Sequence, residues 1–108
     1  LLADMPKGHP GCLIAATAYQ DRLFDKGVQE LNRQAILGWR KRFRAMFEEI
    51  AAVYEPRDTV NMDALGDMVS SIAEGGLVLQ RALREHNSAS EQIMLLRSYL
   101  KLLFSPKA

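Results

Sequence analysis

The chain has 108 residues, with 14 Lys and Arg against 13 Asp and Glu, so its formal net charge is +1 when both histidines are neutral. This length suits a single domain, and 48% hydrophobic with 25% charged residues is close to the globular average. Composition therefore argues against disorder, a collagen-like repeat and a membrane span. The near-neutral charge balance also supplies no electrostatic footprint for a nucleic-acid backbone, which would require a clustered excess of Lys and Arg.

Cys12 is the single cysteine, which excludes an internal disulfide and a multi-cysteine metal site. This usage fits an intracellular, cytoplasmic setting. The chain begins with Leu1 rather than Met, and no charged stretch precedes an apolar one, so no signal peptide is expected. We expect the sequence to be a fragment of a longer protein.

Prolines at positions 6, 10, 56 and 106 leave two long stretches without an obligatory helix breaker. No run alternates with period two, and no Asn-Gly or Asp-Gly hairpin signal occurs. The sequence therefore predicts an all-α fold with four main helices. The first is a short buried helix from Gly11 to about Tyr19, followed by a polar break.

The second predicted helix is long, and Asp25 is its candidate N-cap because its carboxylate can accept from the first-turn N–H groups. The helix is expected to stop before Pro56. Its apolar positions recur at spacings of three and four, which is typical of an amphipathic helix: Val28, Leu31, Ala35, Trp39, Phe43, Met46, Ile50 and Val53.

The third predicted helix starts at Asn61, which can cap it, and runs to about Arg84 or Glu85. Asp63 lies in its first turn, where the helix dipole favours negative charge. Two faces are apolar or small, which implies two packing neighbours. The first face holds Leu65, Met68, Ile72, Gly76, Leu79 and Leu83, and the second holds Ala64, Ser71, Gly75, Val78 and Ala82.

The fourth predicted helix opens with a capping-box pattern in which Ser88 and Glu91 satisfy each other's backbone donors. It runs through Phe104 and stops before Pro106. Its apolar side chains cover most of the circumference, which is wider than one intramolecular partner needs: Ile93, Met94, Leu95, Leu96, Tyr99, Leu100, Leu102, Leu103 and Phe104.

Dimerisation is the simplest explanation for these wide apolar faces, since helices of two copies can form a four-helix bundle. The adjacent Gly75 and Gly76 would allow close helix approach, although the same small residues can also fit the chain's own core. The candidate interface residues are Ser71, Gly75, Val78, Ala82, Leu96, Tyr99 and Leu103.

Aromatic and sulfur-containing side chains suggest a hydrophobic ligand pocket, because they form adaptable apolar walls. Ordinary core packing is the competing interpretation. Cys12 can likewise be a reactive thiol or a small core hydrophobe. The candidate pocket residues are Cys12, Trp39, Phe43, Met46, Phe47 and Met68.

The remaining charged groups give no candidate for chemistry. The basic run of Arg40, Lys41, Arg42 and Arg44 fits a solvated helix face, because Arg44 and Glu48 are an i,i+4 pair. Asp63 and Asp67 lack a third ligand, and the isolated His9 and His86 have no metal-site spacing. No catalytic or phosphate-loop motif occurs, so we expect no enzyme activity, no metal and no cofactor.

Two segments carry a family resemblance: GCLIAA at Gly11–Ala16 and IAEGGLVL at Ile72–Leu79. Together with the helix layout, they resemble the C-terminal domain of TetR-family transcriptional regulators over nearly the whole chain. In that family a small residue or Pro followed by Gly-Cys-Leu often opens the equivalent short helix. A small-residue patch precedes leucines in its penultimate helix.

The resemblance implies that residues 1–108 form one C-terminal regulatory domain that senses a small hydrophobic or amphipathic effector and forms a homodimer. The two final helices would build a four-helix bundle with a second copy, and the cavity would lie among the other helices. Operator DNA would be bound by a helix-turn-helix domain upstream of Leu1, in most cases as a repressor. No membrane partner is implied. The alternative is a stand-alone helical module that binds a different protein.

Overall fold

The computed structural model describes residues 25–106, and this range is all-helical without a strand, as the sequence predicts. It contains three helices, α1 (Lys26–Val53), α2 (Met62–Leu83) and α3 (Ser88–Leu103). The described range thus holds three helices, whereas the sequence predicts four for the whole chain. The predicted helix from Gly11 to about Tyr19 lies outside the described residues.

The first two helices begin at the predicted caps. The Asp25 carboxylate accepts a hydrogen bond from the Val28 N–H at 2.9 Å, and the Asn61 side chain accepts from the Ala64 N–H at 3.0 Å. Each side chain satisfies an N–H group that has no partner within the helix. Both N-cap predictions are therefore confirmed.

The ends of α1 and α2 also follow local chemistry. α1 ends at Val53, ahead of Pro56 as predicted, and the Tyr54 N–H still donates to the Ile50 carbonyl at 2.7 Å. α2 ends at Leu83 because Arg84 adopts the left-handed conformation, with φ 56° and ψ 40°. A residue in this region ends the helical hydrogen-bond pattern.

The capping box predicted at the start of α3 is wrong. Ser88 lies inside the helix, after the N-cap residue Asn87, and its hydroxyl donates to the Glu85 carboxylate at 3.0 Å. The first-turn N–H of Ala89 instead donates to the side-chain oxygen of Gln80 on α2, at 2.9 Å. The helix start lies against α2, so a neighbouring helix supplies the acceptor.

α2 is the central helix and packs against both α1 and α3. Two glycines allow these close approaches. A Cβ at Gly66 would lie 3.1 Å from the Phe43 Cβ on α1, and a Cβ at Gly76 would lie 2.6 Å from the Ala89 Cα on α3. Larger residues at either position would push the helices apart.

A hydrophobic core forms where all three helices meet, and Phe47, Leu65, Leu103 and Phe104 are its buried members. The rings of Phe47 and Phe104 stack with centroids 6.3 Å apart and an interplanar angle of 13°. This pair joins α1 directly to the end of α3.

The connection between α1 and α2 is fastened to the end of α3. The Arg57 N–H donates to the Leu103 carbonyl at 2.7 Å, and its guanidinium donates to the Ser105 hydroxyl at 3.4 Å. The core is therefore closed by residues from the carboxyl end of the described range.

Candidate functional site: an exposed helix face and an apolar groove

One side of α2 carries small and apolar side chains that remain exposed. Gly75 lies nine residues from Gly66, which is about 180° around the helix, so this side points away from α1. The positions are spaced alternately four and three apart, as on one continuous helix face. Its members are Ala64, Met68, Ser71, Gly75, Val78 and Ala82.

A second exposed apolar strip runs along α3. Leu95, Tyr99 and Leu102 are 64%, 41% and 66% exposed. They lie on the flank of α3 opposite Ile93 and Leu100, and that other flank faces α1. The strip therefore lies on the same side of the helical hairpin as the exposed side of α2. We name the two strips together the α2–α3 face.

The α2–α3 face contains most of the predicted interface residues. Ser71, Gly75, Val78, Ala82 and Tyr99 all lie on it and are exposed. The other two do not reach it, since Leu96 is 8% exposed and Leu103 is 5% exposed within the chain's own core.

The interface candidates named from sequence omit Ala64, Met68, Leu95 and Leu102, although all four lie on the α2–α3 face. Continuing the four-three spacing one turn before Ser71 would have reached Met68. For Leu95 and Leu102 the sequence offers no comparable spacing pattern, because both flanks of α3 are apolar.

The structure does not gather the predicted pocket residues into one cavity. Phe47 is buried in the core, Phe43 packs against it, and Trp39 is half-buried. The methionines are exposed, with Met68 on the α2–α3 face and Met46 on α1. The sixth candidate, Cys12, lies outside the described residues.

An apolar groove lies between α1 and α3 and has a volume of about 370 Å³. It is open to solvent on one side, and its exposed lining consists almost entirely of carbon. Phe47 is the one predicted pocket residue that it includes. The lining residues are Phe47, Ile50, Ile93, Leu96, Arg97, Leu100, Lys101 and Phe104.

Two cations border this groove. Arg97 and Lys101 are one turn apart on α3, and both are exposed. Their aliphatic stems line the groove, which leaves the charged ends at its rim. Within residues 25–106 neither side chain forms an ion pair or hydrogen bond, and no Asp or Glu lines the groove.

The basic run on α1 has a structural role, because two of its arginines bind acidic residues of α2. Arg40 donates two hydrogen bonds of 2.9 Å to Asp67, and the hydrogen bonds and charge of that carboxylate raise the pKa of Arg40. Arg44 donates to Glu48 at 2.7 Å and lies 3.1 Å from Asp63. These hydrogen bonds raise the pKa of Arg44.

Asp63 and Asp67 of α2 thus form ion pairs with α1. Within the described range no group of three or more His, Cys, Asp or Glu could hold a metal ion. In the same range no helix combines the length and apolar character required to cross a membrane.

Comparison with protein-family models, curated proteins and solved structures finds no match for this chain.

Proposed function

We propose that this chain is the dimerisation and ligand-sensing domain of a TetR-like transcriptional regulator. In this proposal two copies join through their α2–α3 faces to form a four-helix bundle. The observation that supports it most directly is the continuous exposed strip of small and apolar residues on α2, from Ala64 to Ala82.

The composition of the α2–α3 face favours a protein partner over solvent. None of its nine residues is charged, and the neighbouring Asp63 and Asp67 of α2 are held in ion pairs with α1. Exposed apolar patches that lack charge mark sites of association. Small residues such as Ser71 and Gly75 also allow two helix backbones to approach closely.

The size of the face suits a stable dimer. The 22 residues of α2 extend about 33 Å, and a helix is about 10 Å wide, so α2 and α3 together present roughly 600 Å² in projection. A standard interface buries about 800 Å² of accessible surface on each partner. Accessible area exceeds projected area, so the two values are comparable.

A second copy is a natural occupant because the face is complementary to itself. Gly75 leaves a depression, because no other atom of residues 25–106 lies within 4 Å of a Cβ placed there, while the exposed Val78 protrudes about one turn further along α2. A two-fold axis sets the same patch against itself, so a protrusion of one copy can fill the depression of the other.

The regulatory part of the proposal comes from the family resemblance. An effector would favour one of two arrangements of the dimer and so change the separation of two DNA-binding domains. The residues of this chain would supply the dimer and the effector site. Operator DNA would be bound by the upstream domain alone.

The mass of the purified chain tests the dimer, measured by sedimentation equilibrium with wild type, Gly75→Leu and Gly38→Leu. We expect wild type and Gly38→Leu to be dimers and Gly75→Leu to be a monomer. Gly38 is the matched control because it is a helical glycine of α1, and among the described residues a Cβ there meets only the Arg42 side chain, at 3.8 Å. Leu is the better helix former at both positions.

A wild-type chain that stays monomeric at tens of micromolar would reject the homodimer and favour the alternative, a helical module for a different protein. An unchanged mass for Gly75→Leu would place the interface elsewhere. Sequencing the gene upstream of Leu1 tests the regulator itself. A basic helix-turn-helix of about 50 residues or more would support it, whereas a start codon directly before Leu1 would contradict it.

A further inference from the structure

We infer that the groove between α1 and α3 binds an unbranched apolar chain with a carboxylate head group, as in a medium-chain fatty acid. The inference rests on the ligand-sensing part of the proposed function, for which it names the ligand class and the site. Two observations carry it: an apolar groove interior, and two cations along one rim that have no partner among residues 25–106.

The interior of the groove suits a hydrocarbon chain. Leu100 and Ile93 form one wall and Ile50 forms the other, while the stacked rings of Phe47 and Phe104 join the walls. The volume of about 370 Å³ lies within the range of small-molecule sites, roughly 300–1,000 Å³. No polar group of the interior is available to fix a polar ring system.

The shape of the groove also favours an elongated ligand. Its wall on α3 runs from Ile93 to Phe104, which is about 16 Å along the helix axis. The open side leaves room for a head group outside the apolar interior. A thin chain that lies along α3 therefore uses the available surface better than a compact ring would.

The rim selects the head group. Arg97 and Lys101 project from successive turns of the same wall, and neither has a partner among the described residues. No Asp or Glu of the described range is among the lining residues, so the lining itself places no negative charge beside a bound anion. A carboxylate at this rim can accept hydrogen bonds from one or both cations while the chain stays in the groove.

The α2–α3 face and the groove are separate surfaces. They occupy opposite flanks of α3, with Leu95 and Leu102 on one side and Ile93 and Leu100 on the other. A ligand in the groove therefore leaves the proposed dimer face free, and the two parts can be tested independently.

Isothermal titration calorimetry of the 108-residue chain with dodecanoate, below its micelle concentration, tests the site. We expect saturable binding of one dodecanoate per chain. Affinity should fall from dodecanoate to octanoate by up to about fourfold per methylene removed, the factor for a fully buried methylene. Dodecanol, which has the same chain and no charge, should bind at least tenfold more weakly than dodecanoate.

The double variant R97Q/K101Q should lose the preference for dodecanoate over dodecanol while it keeps the chain-length dependence. The matched control is K41Q/R42Q, because it removes two exposed cations of α1 that lie away from the groove and form no ion pair among the described residues. The control should bind dodecanoate as wild type does. Equal dodecanoate affinity in R97Q/K101Q and wild type would overturn the role of the rim.

Methyl-labelled NMR locates the bound chain. We expect dodecanoate to shift the methyl resonances of Ile50, Ile93 and Leu100 and to leave those of Leu95 and Leu102 in place. Shifts confined to Leu95 and Leu102, or no saturable binding, would overturn the inference. Mass measured on the same samples separates the two proposals, because an intact dimer without binding rejects the groove alone, and binding by a monomer rejects the dimer alone.

Discussion

The adjacent glycines Gly75 and Gly76 have opposite environments on α2. Gly76 is buried against the backbone of Ala89, whereas a Cβ at Gly75 would meet no other atom of residues 25–106 within 4 Å. Glycine lowers helix stability by about 1 kcal/mol relative to alanine. At Gly76 the close contact between α2 and α3 explains why glycine is present. At Gly75 no contact within the described residues explains it, and the proposed dimer would.

Substituting alanine at each glycine should change stability in opposite directions. Gly76→Ala places a Cβ 2.6 Å from the Ala89 Cα and should destabilise the fold by about 1–3 kcal/mol, because the helices must move apart. Gly75→Ala should stabilise it by about 0.5–1 kcal/mol through helix propensity alone. Urea unfolding at a concentration too low for association measures both. A loss at Gly75 as large as that at Gly76 would contradict the assigned packing.

The sequence indicated that the glycine pair needs a packing reason, and it could not say which glycine faces which neighbour. Adjacent helix positions differ by about 100° in direction. The identity of the neighbouring surface depends on where the other helices dock. Trp39 and Met46 show the same limit, since apolar character alone does not separate a ligand wall from a core or a surface position.

At the scale of elements, the starts of the three helices divide into local and non-local cases. Asp25 and Asn61 cap their own helices through bonds to residues three positions on, and that pattern is visible in sequence. The start of α3 is capped by Gln80 from nine residues upstream. A cap that crosses from another helix leaves no fixed spacing to recognise.

Removing the Gln80 side chain should weaken the start of α3. Gln80→Ala leaves the partly buried Ala89 N–H without its acceptor and should destabilise the fold by about 1 kcal/mol, as for other lost caps. Gln80→Glu keeps an acceptor and adds negative charge near the helix N-terminus, so it should cost less. Chemical denaturation compares the two, and equal losses would show that the hydrogen bond contributes nothing.

The sequence predicted how much of the α3 surface is apolar, but it did not predict which apolar side chains face the core. Nine apolar residues in the helix and its cap indicated that α3 is apolar on more than one side. Periodicity could not show which of these sides is buried within the chain. The structure turns Leu96 and Leu103 inward and leaves Leu95 and Leu102 exposed. Packing against α2 decides this, because Ala89 must sit over Gly76.

At the scale of the whole molecule, the all-α fold and two of the three helix starts follow from sequence. The sequence also placed five of seven interface candidates on one exposed face. It did not reveal the groove, because a groove between α1 and α3 depends on how both helices dock on α2. Residues distant in sequence, such as Ile50 and Leu100, meet there only after folding.

If two copies associate, thermal stability should depend on protein concentration. Mass action then raises the melting temperature of wild type as concentration increases, since association stabilises the folded state only. Gly75→Leu should show one melting temperature across a hundredfold range of concentration. Differential scanning calorimetry makes the measurement, with Gly38→Leu as the variant that should behave as wild type does. A concentration-independent wild type would contradict the dimer.

The order of synthesis determines when the core can form. Phe47 and Leu65 leave the ribosome well before Leu103 and Phe104, which complete the cluster and bind the loop at Arg57. While the chain is being made, α1 and α2 can pair, but the apolar surface of their junction stays open to water. Nascent chains with such surfaces are prone to aggregate. The core of the described residues can therefore close only after the last turn of α3 has been synthesised.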